Sequence, residues 1–69
     1  MIVVVNEQKV DVDAHITVAA LLDSLGFPAG GVAVAMDDAV LPRSRWATKL
    51  SQLPGAPVRL DVVTAVQGG

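Results

Sequence analysis

The chain has 69 residues, 52% of them hydrophobic, with a net charge of −2 and no cysteine. That length holds one domain, and the apolar content argues against disorder. Without cysteines, and with His15 as the only histidine, neither a disulfide framework nor a zinc set can brace it, so apolar packing must hold the fold.

Residues 2–5, Ile-Val-Val-Val, form a β-branched run bounded by Asn6. Such a run predicts a strand buried on both faces, hence central in its sheet. Asn6-Glu7-Gln8 reads as a turn, and residues 9–13 alternate Lys-Val-Asp-Val-Asp, the pattern of a strand with one wet face. The two strands predict a hairpin.

Thr17 is suited to cap a helix, with Ile16 and Leu21 placed for a hydrophobic staple. Val18, Leu21, Leu22 and Leu25 follow at i, i+3, i+4 and i+7, one face of that helix. Gly26 stands where a left-handed residue ends a helix, and Pro28 bars its continuation. Ala29-Gly30-Gly31 is a loop without a phosphate-binding glycine pattern around it.

Residues 32–36 predict a third strand, Asp37-Asp38 a turn, and Val40-Leu41 a very short fourth strand before Pro42. Residues 43–49 are polar around Trp46 and suit a turn or one helical turn. Leu53-Pro54-Gly55-Ala56-Pro57 excludes regular structure, and residues 58–62 alternate as a last strand. The order ββαββ-turn-β closes compactly if the first and last strands lie parallel at the sheet centre. This is an α+β, β-grasp (ubiquitin-like) arrangement: a mixed five-stranded sheet packed on one main helix. The domain is expected over residues 1–63, with residues 64–69 a flexible tail.

Functional exclusions follow from the same residues. With two aromatics, Phe27 and Trp46, and no basic excess, the chain is a poor nucleic-acid binder. No apolar run approaches a bilayer span, and the start lacks the cationic lead of a signal peptide, so a cytoplasmic location is the expectation. Arg43, Arg45 and Lys49 suit either a basic dock or a solvated turn, the latter favoured. Trp46 suits a core cap at least as well as an interface anchor. Asp37-Asp38, Asp11 and Asp13 read as turn and edge charges, and His15 as a surface residue.

The chain ends in Gly68-Gly69. Two residues without Cβ make a slim, pliable peptide that can enter a narrow active site carboxylate first. Average glycine usage puts such an ending in roughly one chain in 200 by chance, so the tail needs support from the rest of the sequence.

That support comes from a resemblance. Asn6 in the first turn, Thr17-Val18 with Leu21-Leu22, and Ala35-Met36-Asp37-Asp38-Ala39-Val40-Leu41-Pro42-Arg43 followed by Trp46 make the chain similar to the ThiS family, the sulfur carriers of thiamin biosynthesis. It departs from the family's usual pattern at Asp37, at Leu41 and in the Pro54-to-Pro57 loop. The resemblance implies that an adenylating, E1-like enzyme activates the carboxylate of Gly69 with MgATP. A persulfide or equivalent donor then displaces AMP to leave a thiocarboxylate, and a thiazole synthase accepts the sulfur. It also implies that Gly68, Gln67 and Val66 thread into partner active sites. The chain itself would bind no cofactor or metal and serve as a protein cosubstrate. Six residues beyond Val63 reach about 20 Å at roughly 3.3 Å each. The alternatives are a small subunit of a molybdopterin-synthase-like enzyme, a ubiquitin-like modifier of lysines, and a plain β-grasp interaction domain.

Overall fold

In the computed structural model, residues 1–28 and 30–64 are described. Five strands, β1 (Ile2–Val5), β2 (Gln8–Asp11), β3 (Val32–Met36), β4 (Ala39–Leu41) and β5 (Val58–Thr64), form one sheet in the order β2-β1-β5-β3-β4. The helix α1 (Val18–Ser24) crosses between the hairpins. β1 and β5 run parallel, Val3 opposite Val58 and Val5 opposite Leu60, while β1–β2, β3–β4 and β3–β5 are antiparallel. This is the expected β-grasp, with the parallel pair inside the sheet.

Both hairpins close through two residues of positive φ, Asn6 (50°) and Glu7 (68°), then Asp37 (47°) and Asp38 (66°). Such pairs match the twist of the flanking strands, and Asn and Asp tolerate the left-handed region better than most side chains. An aspartate at position 37 therefore keeps the hairpin turn.

The helix begins and ends by local chemistry. Thr17 is extended, and its Oγ1 accepts from the Ala20 amide at 3.1 Å. The Val18 and Ala19 amides donate to the Thr48 and Trp46 carbonyls. At the other end, Gly26 (φ 85°) donates to the Asp23 carbonyl and Phe27 to that of Leu22. That crossed pair is a Schellman stop, which needs the left-handed residue that glycine supplies.

The core joins Val18, Leu21 and Leu22 of α1 to inward residues of the sheet, Val3, Val5, Val34, Met36, Val58, Leu60 and Val62, with Trp46 and Leu50 closing one side. Four expectations need adjustment. Leu25 is 39% exposed, because the helix has stopped and this C-cap residue no longer follows its face. β2 ends at Asp11 instead of 13, although the Val12 amide still bonds the Met1 carbonyl. β4 starts one residue earlier, at Ala39. β5 continues to Thr64, because β3 offers Val32 as its partner.

The segment after β4 is more ordered than a single turn. It forms two 3-10 turns, Arg43–Arg45 and Leu50–Gln52. The second is tied to the helix entry by Leu50 and Ser51 amides donating to the Ile16 and Ala14 carbonyls, and Thr17 pairs with Lys49 as an isolated bridge.

Candidate functional site

The sheet sends its C-terminal end out beside the first hairpin. β1 pairs with β5 only as far as Val5 opposite Leu60. At Asn6 the backbone N–H still donates to the Leu60 carbonyl at 3.0 Å, and beyond it the side chain replaces backbone pairing: Oδ1 accepts from the Val62 amide at 2.7 Å and Nδ2 donates to the Val62 carbonyl at 3.2 Å. On the other side Thr64 stands opposite Val32. The last described residues are thus held from both flanks. The predicted site residues Val66, Gln67, Gly68 and Gly69 lie outside the described residues, as does Ala29 of the loop.

The outer face of the sheet is uneven. Val4 is buried there with Lys9 and Arg59 as its register partners, whose long stems suit covering an apolar residue. Toward the other edge, Ala33 stands opposite Val63, and Ala35 opposite both Asp61 and Val40. Val63 is 60% and Val40 72% exposed, so small apolar side chains continue across this face to within a residue of the tail. Periodicity within each strand hinted at these positions, but the register was needed to join them.

The other residues singled out in the sequence fall elsewhere. Trp46 is 8% exposed, belongs to the core and donates from its indole Nε1 to the Leu41 carbonyl at 3.3 Å. The Arg43 guanidinium lies 4.8 Å from the centre of its ring, a cation–π distance. Arg45 and Lys49 are exposed on the same segment. His15 is exposed, its amide held by the Asp13 carboxylate at 2.8 Å. Asp11 faces the terminal ammonium of Met1 at 3.4 Å. Gly30 and Gly31 are exposed, with open space where a Cβ would stand.

Among the described residues, no group of three or more His, Cys, Asp or Glu is placed to hold a metal ion. No helix among them is long and apolar enough to cross a membrane. What the described residues offer chemically is a rigid mount: a strand end clamped at Val62 and Thr64, with an apolar surface beside it.

No curated protein matches the chain at a significant level. The ThiS family model matches it over residues 2–69, the whole β-grasp domain together with the terminal glycines. The chain therefore belongs to the ThiS family of small, ubiquitin-like sulfur carrier proteins, which carry sulfur and do not catalyse.

Proposed function

We propose that Gly69 is the sulfur-bearing residue and that the sulfur goes into the thiazole ring of thiamin. A carboxylate is a poor electrophile, because oxide is a poor leaving group. A partner enzyme therefore directs the Gly69 carboxylate onto the α-phosphorus of MgATP, releasing pyrophosphate and forming an acyl-adenylate. A persulfide sulfur attacks the acyl carbon and expels AMP. A thiol then cleaves the resulting acyl disulfide, leaving a thiocarboxylate on Gly69 and a disulfide between the two donors. The thiazole synthase takes the sulfur and returns the carboxylate. The observation that carries this reading is the family match, which extends without a break from the folded domain through Gly68-Gly69.

The body suits the task. Five residues beyond Thr64 span roughly 17 Å when extended at about 3.3 Å each, enough to thread Val66, Gln67 and Gly68 into a buried site while the domain stays outside. The apolar strip from Val40 to Val63 gives that domain a surface to rest on beside the entrance.

The test incubates the protein with the adenylating enzyme, MgATP and a sulfur source, adds a thiol-directed alkylator, and analyses the C-terminal peptide by mass spectrometry. The alkylator separates sulfur gain from oxidation of Met1 or Met36, which changes the nominal mass equally. Alkylation confined to the peptide ending in Gly69 is the expected result. An unmodified terminus beside a demonstrably active partner overturns it. Gly68→Val is expected to fold normally and lose adenylation, because a β-branched side chain widens the thread.

A further inference from the structure

The turn between β1 and β2 asks for less than Asn6 provides. A φ of 50° at that position is met by glycine and aspartate as well as by asparagine. The turn therefore accounts for the backbone of Asn6 but not for its side-chain amide, both ends of which are bonded to Val62. An asparagine amide carries an acceptor and a donor on one planar group, as a peptide does, whereas aspartate carries acceptors only and glycine neither. The side chain thus adds one rung to the parallel ladder, beyond the bond from the Asn6 N–H to Leu60.

The extra rung falls where β5 needs it. On the other flank Val62, Val63 and Thr64 pair with Val34, Ala33 and Val32 of β3. There β3 is only beginning, directly after Gly30-Gly31, with Gly31 at a φ of 72°. A strand end that follows two glycines is a yielding partner. The stiffer hold on the end of β5 is the one through Asn6, whose own position is fixed by the hairpin.

We propose that Asn6 is a positioning residue for the chemistry at Gly69. By fixing Val62 it sets where, and in which direction, the chain leaves the domain, and so how often the carboxylate reaches a docked active site. The inference rests on the reading of Gly69 as the sulfur-bearing residue. With β5 held through Thr64, the tether to Gly69 is five residues; with β5 loose beyond Leu60 it is nine. The effective concentration of a tethered group falls as about the −3/2 power of tether length, so the longer tether alone lowers it about 2.4-fold. Loss of a fixed exit direction adds to that. Ala33, Ala35 and Val40 stand on β3 and β4, which Asn6 does not bond, so docking through that face is preserved while the maximal rate drops.

The test is ATP–pyrophosphate exchange by the adenylating enzyme at saturating MgATP, with the full chain varied in concentration. Asn6→Gly keeps the turn and removes the amide, while Asn6→Asp keeps an acceptor for the Val62 N–H. Asn6→Gly is expected to lower kcat about three- to tenfold with KM within about twofold of wild type, and Asn6→Asp to recover most of the loss. Amide hydrogen exchange on the free chain should show Val62 less protected in Asn6→Gly, within an otherwise native spectrum. A purely structural role gives the opposite split, because a partly unfolded carrier lowers the active concentration, raising apparent KM and leaving kcat unchanged. That split, a wild-type kcat in Asn6→Gly, or equal losses in Asn6→Gly and Asn6→Asp would overturn the positioning role alone. A wild-type chain that supports no exchange beside a demonstrably active enzyme overturns the Gly69 reading, and this inference with it.

Discussion

Asn6 offers the sharpest quantitative check on how the strand end is held. Asn6→Ala removes two hydrogen bonds to Val62, at 2.7 and 3.2 Å, and places alanine at a φ of 50°. Each bond contributes about 0.5–1.5 kcal/mol, and the left-handed conformation costs a non-glycine residue about 1–2 kcal/mol, part of which asparagine escapes. The expected loss is about 2–4 kcal/mol. A domain of this size holds only about 3–10 kcal/mol of stability, so the melting point should fall by roughly 14–28 °C. Two further variants divide the effect. Asn6→Gly relieves the backbone and should lose less, while Asn6→Asp keeps an acceptor for the Val62 amide and should lose least. Urea unfolding at 25 °C gives the stabilities, and hydrogen exchange at the Val62 amide reports the bond itself. A loss under about 0.5 kcal/mol for Asn6→Ala, or unchanged protection at Val62, would refute the clamp.

Other positions carry simpler expectations. Leu50, fully buried in the second 3-10 turn, should cost about 2–5 kcal/mol as alanine in urea unfolding; a loss under about 1 kcal/mol would mean that this turn does not anchor the core. Gly55→Ala should lose about 1–3 kcal/mol, since φ is 111° and an added Cβ would stand 3.0 Å from the Pro57 carbonyl oxygen; a neutral variant in calorimetry would contradict that crowding. Thr17→Ala should lose about 1 kcal/mol with its cap, and Thr17→Ser should recover most of it; equal losses for both would assign the effect to something other than the hydroxyl.

What was legible in the sequence was local. Thr17 and Gly26 announce the ends of α1 because capping and stopping a helix involve only neighbouring residues. The β-branched run at residues 2–5 and the alternation at residues 58–62 mark strands for the same reason. Leu25 matched the helical period but lay past the point where the backbone turns away, and periodicity alone does not register that boundary. The second 3-10 turn was missed because its partners, Ile16 and Ala14, are distant in sequence. Asn6 was visible as a turn residue, but its grip on Val62 exists only once β1 and β5 lie parallel. The candidate site divides likewise: the glycines speak through their own chemistry, whereas the apolar strip from Val40 to Val63 exists only once the register joins β4, β3 and β5.

The parallel pairing of β1 with β5 also governs where a handle can be attached. Met1 bonds Val12 at the end of the sheet where β5 begins, whereas Thr64 lies six residues further along β5, about 20 Å away at roughly 3.3 Å per residue. A tag, dye or surface linker fused ahead of Met1 therefore hangs from the pole opposite the outgoing strand. The protein can be immobilised by that pole and still present its other end to whatever enzyme is in solution.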